Sequence, residues 1–311
     1  METKNTLCPI CKQNRYEHWA VAYDVEYFTC EKAYEYLRCL SCGCMYLKEP
    51  PVGRLKDIYP INYYSYSNNS FSVVKGVKNI LDGIRYKGIL HKINKDNIRV
   101  LDVGGGSGWC INEIKRIDDR VMYSQIVDID PGAEKAARDG GHDFFLGRVE
   151  DFKTNGKFDL ILLLNLIEHV EDPKLVLAKT RELLNPNGFV LIKTPNFDSL
   201  DARLFRNSSW AGFHCPRHWV LFTKQSFYNL CGQVGLSVES FSYTQGAPFW
   251  AASILAVLGR LGIVTISANL PSTKHYLFSP LVALFAIFDI LRMPFFKTSQ
   301  MFFVLKDESS S

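Results

Sequence analysis

The sequence predicts an α/β fold, a doubly wound sheet with a cysteine-rich module in front of it and an apolar helical hairpin set into its C-terminal part. Three observations predict it. From Arg99 onward short β-branched runs alternate with helix-length segments, a glycine-rich turn joins the first run to the helix after it, and six of the nine cysteines fall in the first 44 residues. The 311 residues carry 47% apolar and 22% charged side chains, ordinary values for a globular chain able to bury a full-sized core.

Residues 1–50 read as a zinc-binding module. Cys8-Pro-Ile-Cys11 and Cys39-Leu-Ser-Cys42 are paired knuckles separated by 27 residues. Four thiolates enclose a structural Zn2+ tetrahedrally and leave no open position for water. Cys30 and Cys44 are spare, Cys44 being the nearer substitute ligand; buried thiols without metal are the alternative. The opening residues Met1 to Asn5 lack the basic and apolar regions of a secretory signal, so a cytoplasmic, reducing environment is expected and metal is favoured over disulfides. Cys110, Cys215 and Cys231 read as buried small apolar residues.

Residues 51–97 form a connector that begins at Pro50-Pro51, runs through the tyrosine-rich stretch Tyr59-Pro-Ile-Asn-Tyr-Tyr-Ser-Tyr, and ends in a helix from Val73 to about Ile93. Residues 98–245 form the core. Its strands are expected at Val100–Val103, Gln125–Val127, Asp143–Leu146, Asp159–Leu164, Phe189–Ile192 and Leu236–Tyr243, with helices starting at Trp109, Pro131, Pro173 and Lys224. Short apolar runs spaced by crossover helices indicate a parallel sheet covered on both faces.

Residues 246–297 form the hairpin. Ala247 to Ile266 has one charge, Arg260, and Leu277 to Phe296 has Asp289 and Arg292; both uninterrupted runs are shorter than a spanning helix. The expected turn is Pro271, Ser272 and Thr273, with Trp250, Phe295 and Phe296 at a lipid interface. A leaflet anchor at the inner face of the membrane, a cap over the active site and an oligomer interface are the three readings. Residues 298–311 hold a final strand at Met301–Leu305 and a frayed tail.

The chemistry concentrates at the glycine loop. Val100-Leu-Asp-Val runs into Gly104-Gly-Gly106-Ser-Gly108 and then a helix, so backbone N–H groups can approach a ligand closely. The dinucleotide fingerprint fails in both frames, because Trp109 takes the last position in one and Ser107 the second glycine in the other. What stands is Asp-x-Gly-x-Gly-x-Gly from Asp102 to Gly108. Later come Gln125-Ile-Val-Asp128-Ile129-Asp130, Gly147-Arg-Val149-Glu150-Asp-Phe, Asn165-Leu-Ile-Glu168-His169-Val, and Leu183-Leu-Asn-Pro-Asn-Gly188 with Thr194-Pro-Asn196.

In this order the motifs resemble those of class I S-adenosylmethionine-dependent methyltransferases, and the resemblance implies a Rossmann-like methyltransferase sheet. It implies that Asp102, Gly104, Gly106 and Gly108 line the methionine end of S-adenosyl-L-methionine, with Asn165 beside it. Asp128 and Ile129 would meet the ribose and Val149 and Glu150 the adenine, Asp130 competing with Asp128 and Asp151 with Glu150. The knuckles, the Tyr59 stretch and Trp210-Ala-Gly-Phe-His214-Cys-Pro-Arg217-His218 further resemble a zinc-headed bacterial subgroup from cell-surface and antibiotic-sugar clusters.

Methyl transfer from a sulfonium needs an aligned acceptor and, for a hydroxyl, a proton acceptor. His169, His214 and His218 are the candidate bases, with a structural hydrogen bond as the other role for His169; Arg217 is the candidate acceptor-binding residue, or else half of a structural ion pair. Some quinone O-methyltransferases of similar pattern use a divalent metal and carry Glu where Asn165 stands, so no catalytic metal is carried over. The expected acceptor is a small molecule or glycan, with S-adenosyl-L-methionine and structural Zn2+ as cofactors. A net charge of +4 and the lack of a Lys/Arg cluster between Cys8 and Cys44 argue against RNA modification, and a non-catalytic membrane-associated binding protein is the third reading.

Overall fold

The computed structural model describes residues 7–59, 73–207 and 209–310. Its elements in chain order begin with strands β1 (Tyr16–Ala22), β2 (Tyr34–Cys39) and β3 (Met45–Leu47), then a one-turn helix α1 (Leu55–Ile58) and the long helix α2 (Val73–Leu90). The core follows as β4 (Ile98–Val103), α3 (Trp109–Ile117), β5 (Val121–Asp128), α4 (Glu134–Asp139), β6 (Asp143–Leu146), β7 (Phe158–Leu164), α5 (Pro173–Leu183) and β8 (Leu184–Pro195). It ends with α6 (Leu200–Leu204), β9 (Val220–Leu221), α7 (Lys224–Gln233), β10 (Leu236–Thr244), α8 (Ala247–Arg260), α9 (Phe278–Arg292) and β11 (Gln300–Asp307). The tyrosine-rich stretch beyond Tyr59 lies outside the described residues.

Alternation along the strands explains the doubly covered sheet. In β7, Leu160 and Leu162 join one hydrophobic cluster while Ile161 and Leu163 join the other; in β4, Val100 and Leu101 divide the same way. Successive side chains of a strand point to opposite faces, so each strand feeds two cores. On one face α2 contributes Tyr86, Ile89 and Leu90, followed by Ile93, and packs beside Cys110, Ile111 and Ile114 of α3.

The strand order is β10-β11-β8-β7-β4-β5-β6. The strands from β8 to β6 pair in parallel, and β11 enters antiparallel between β8 and β10. The carboxyl ends of β4, β5, β7 and β8 therefore share one edge, where open α/β sheets hold ligands.

Two expectations are corrected. The helix placed at Pro131 starts at Glu134, because Asp130 Oδ1 accepts the Gly132 N–H at 2.8 Å and spends those residues in a turn. Trp250 is not at an interface: it is buried and stacked on Phe285, with ring centroids 4.8 Å apart and planes 3° from parallel, so it fastens α8 to α9. The hairpin is tied to the chain ahead of His214, since Ser253 Oγ of α8 accepts the Ala211 N–H at 2.9 Å and Arg260 donates to Asn207 O and Ser209 Oγ. Phe295 and Phe296 are exposed as expected. Among the described residues no helix is long and apolar enough to cross a membrane.

The N-terminal strands form a second, antiparallel sheet, ordered β1-β2-β3-β9. Its last strand comes from the segment after Arg217, through the pairs Met45↔Leu221 and Tyr46↔Val220.

Candidate active site

Gly104, Gly106 and Gly108 have φ values of +74°, +52° and +81°, a backbone that side chains with a Cβ rarely adopt. A Cβ on Gly108 would strike His142 and Ile126, whereas one on Gly106 would enter open space. The loop therefore packs tightly at its base and leaves room at its tip. The Gly106 N–H donates to Asp128 Oδ2 at 2.8 Å, and the Asp130 N–H donates to Asp128 Oδ1 at 2.9 Å, so the end of β5 is tied to the loop. Asp102 is buried beneath it, and burial together with the nearby Asp128 carboxylate pushes its pKa up to about 8. Burial also raises Asp128. Two carboxyls with no paired cation among the described residues, beside an open-tipped glycine loop, are suited to a positively charged ligand, and S-adenosylmethionine carries both an ammonium and a sulfonium.

Ile129 is exposed next to Asp128, and Asn165, directly after β7, is exposed with φ +55°. Val149 is buried at the start of a 3-10 turn, which gives the adenine segment a fixed floor, while Glu150 is half-buried above it. Asp151 is exposed.

His169, His214 and His218 come together from two segments. Ring centroids are 4.5 Å apart for His169 and His218, 5.0 Å for His214 and His218, and 5.9 Å for His169 and His214. Each ring is held by a different partner. Tyr59 Oη lies 2.9 Å from His169 Nδ1, Glu26 Oε2 lies 2.5 Å from His214 Nδ1, and His218 Nδ1–H donates to Gly212 O at 2.8 Å. A carbonyl only accepts, so His218 Nε2 keeps its lone pair in the neutral ring. Burial drives the pKa of both His169 and His218 well below the ordinary imidazole value, which leaves both rings neutral near pH 7. His214 and His218 are buried, whereas His169 is half-buried and the most accessible of the three.

Glu168 lies underneath. Its Oε2 accepts from Thr194 Oγ1 at 2.9 Å, and its buried Oε1, 3.9 Å from His218 Nε2, has no hydrogen-bond partner among the described residues. Burial pushes its pKa up to about 8. Glu168, His169 and His218 each bring a ligand atom within 4.8 Å of the others, a donor set that a divalent ion can use. Sequence spacing did not bring His218 to Glu168 and His169, because it reaches the site from 49 residues beyond His169 along the chain.

Arg217, expected to contact the acceptor, is instead wholly buried and committed to the protein. It donates to Asp24 Oδ2 at 2.8 Å, to Ile58 O at 2.7 Å and to Cys215 O at 3.0 Å. The Arg217 charge and hydrogen bonds outweigh burial and hold the Asp24 carboxyl below its usual range. Tyr36 Oη on β2 donates to Phe213 O and His218 O. The N-terminal segment thus supplies Asp24, Glu26, Tyr36 and Tyr59 to the histidine loop. Spacing did not single out Asp24, Glu26 or Tyr36, and Tyr59 stood out as part of a tyrosine-rich stretch that shares in the zinc-headed resemblance, with no partner assigned to it.

The thiols of Cys8, Cys11, Cys39 and Cys42 lie within 4.8 Å of one another. Lys12 and Gly43 both adopt positive φ, and their N–H groups donate to Cys8 O at 2.9 Å and Cys39 O at 3.0 Å. The two knuckles are therefore the same turn made twice. The Ser41 and Cys42 N–H groups both donate to Cys39 Sγ, at 3.4 Å each. This all-sulfur, tetradentate donor set fits zinc. Cys44 Sγ is 3.4 Å from both Cys8 and Cys42, a fifth thiol against the cluster.

Comparison with known proteins places this site in context. A family model described as a methyltransferase domain matches residues 82–240. The ubiquinone biosynthesis O-methyltransferase of Azorhizobium caulinodans is 32% identical over 108 residues, covering 32% of this chain and 41% of that protein. The protein of the same name from Bradyrhizobium diazoefficiens is 30% identical over 107 residues, 32% of this chain and 40% of that one. The matches thus span about two fifths of these relatives. A crystal structure of coclaurine N-methyltransferase bound to N-methylheliamine and S-adenosylhomocysteine (SAH) superposes with a TM-score of 0.51 at 14% identity, covering 78% of this chain and 75% of that one.

Proposed function

The chain belongs to the methyltransferase domain family, and we propose that it moves a methyl group from S-adenosylmethionine to a hydroxyl of a small-molecule or glycan acceptor. The observation that carries this reading is the placing of three histidines, two of them held neutral by burial, at the end of β7 and beside the strands that bear the glycine loop and Asp128. S-adenosylmethionine supplies an electrophilic methyl with a neutral leaving group. The chain's own residues then have two tasks, alignment and proton removal. His169, half-buried and oriented by Tyr59, takes the hydroxyl proton as the new O–C bond forms; His214 and His218 pack against its ring. The O-methyltransferase names of the relatives agree with an oxygen acceptor. The sugar or glycan character rests on the zinc-headed resemblance, in which Cys8, Cys11, Cys39 and Cys42 bind one Zn2+ and fasten the segment that carries Glu26 and Tyr59.

The hairpin supports a further part of the reading, contact with the inner face of a membrane. Helix α9 buries Asp289 and Arg292 and exposes Leu284, Ile287 and Leu291, the reverse of an ordinary surface helix.

Incubation with methyl-labelled S-adenosylmethionine and fractionated cell extract tests the activity. The intact protein should label an organic or glycan fraction, and His169→Ala should lower the rate by about 10²–10⁴, the usual worth of a general base. Label transfer that is equal in the variant would remove His169 from the chemistry. No transfer to any fraction would remove the activity itself.

A further inference from the structure

Beyond the histidines, on the same edge of the sheet, lies a cavity of about 630 Å³ that no reading of the sequence anticipated. Phe197, two residues past β8, and Tyr243, at the end of β10, form part of its lining. Its charge is lopsided: Arg38, Arg203, Arg206, Lys224 and Lys297 face a single acid, Asp198. Arg38 is paired outside the lining, with Glu17 at 3.2 Å. Asp198 is already taken, since Arg203 pairs with it at 2.5 Å and Lys297 pairs with it as well. Arg206 lies 4.0 Å over the ring of Trp19 and donates to Trp19 O at 2.7 Å; Lys224 lies 4.5 Å over Phe241. Neither meets a carboxylate within ion-pairing distance among the described residues. Thr223, the N-cap of the ten-residue helix α7, also lines the cavity, so the positive end of that helix opens into it.

We propose that this cavity binds the diphosphate group of an organic diphosphate. Guanidinium forks match phosphate oxygens two at a time, and a helix N-terminus adds N–H donors. The volume exceeds that of one phosphate and leaves room for a substituent. Histidine cluster and cavity follow adjacent strands, β7 and β8, so a diphosphate held here leaves the far end of the same molecule at the methylation site. That last step rests on the proposed methyl transfer; the binding of diphosphate does not. The diphosphate could be that of a nucleoside or of an isoprenoid lipid, since both present the same group.

The test is calorimetry on the full chain with inorganic pyrophosphate, a nucleoside diphosphate, and an isoprenyl diphosphate in neutral detergent micelles, at low salt. The wild type should bind pyrophosphate and bind one of the two organic diphosphates more tightly, which identifies the source. Arg206→Met combined with Lys224→Met should weaken all three at least tenfold, Arg206→Lys should retain most of the affinity, and SAH should bind every variant alike, which reports an intact core. Absence of pyrophosphate binding, equal binding by the double variant, or equal affinity for inorganic sulfate would overturn the proposal. Pyrophosphate binding in a protein that ignores SAH would keep this site and sink the methyltransferase reading instead.

Discussion

At the scale of single residues, the glycine loop lies against two acids, Asp102 and Asp128, with no cation paired to them among the described residues. Asp102 ordinarily ionises near pH 4 and in the folded chain near pH 8, so its contribution to stability is present in acid and lost as pH rises through about 8. Asp102→Asn should therefore melt increasingly above the wild type between about pH 4 and 8, with no gap below pH 4 and a constant one above 8. A cationic ligand favours the ionised carboxyl, so binding S-adenosylmethionine below pH 8 should release a proton. Calorimetry in buffers of different ionisation enthalpy measures that release. A proton count that Asp102→Asn leaves unchanged would mean that Asp102 does not face the cofactor. Arg217 shows the opposite case, a charge whose partner lies within the fold. Truncating one half of a buried pair costs about 3–5 kcal/mol, so this residue acts on acceptor turnover through the loop it holds.

At the scale of elements, the local signals were legible and the distant pairings were not. β6 lies at Asp143–Leu146 and α3, α5 and α7 begin at Trp109, Pro173 and Lys224, because a short aromatic and apolar run, a proline in the first turn and a capping Thr223 are local devices. The glycine loop and both cysteine knuckles were legible for the same reason. The partners of the histidines were not. Glu26 reaches His214 across 188 positions and Asp24 reaches Arg217 across 193, and no periodicity records such contacts. Trp250 failed because aromatic side chains favour lipid interfaces and helix–helix seams alike, and only the position of Phe285 decides. For the knuckles, metal analysis of freshly purified, reduced protein should give one zinc per chain, and Cys39→Ser should lose the metal and fold poorly. Well under one equivalent in the wild type would contradict the assignment. Cys44, in contact with two of the ligands, is the residue whose replacement by Ser tests whether the fifth thiol shares the ion.

At the scale of the whole molecule, the N-terminal segment completes the active site. Its sheet ends on β9, its Asp24 anchors Arg217, and its Glu26 and Tyr59 orient two of the three histidines. Loss of zinc should thus reach acceptor turnover before it reaches the cofactor loop, which stands on β4 and β5. The hairpin lies at the other end, with α8 holding the loop before His214 through Ser253 and α9 turning its apolar side outward. Vesicle flotation tests that side. The wild type should float with anionic liposomes, and the triple variant Leu284→Glu, Ile287→Glu, Leu291→Glu should stay behind with SAH affinity unchanged. Wild-type protein that stays behind at low and high salt would end the membrane reading.

The account as a whole stands on one cofactor site, at the tip of the glycine loop and against Asp128. Titration calorimetry of the full chain with SAH measures it directly. The predicted result is a single site per chain, weakened by about 1.5–3 kcal/mol in Asp128→Ala, the range of hydrogen bonds to a charged group, and abolished in Gly106→Val, which fills the open tip. No heat of binding to the wild type, or the same affinity in all three proteins, would contradict it.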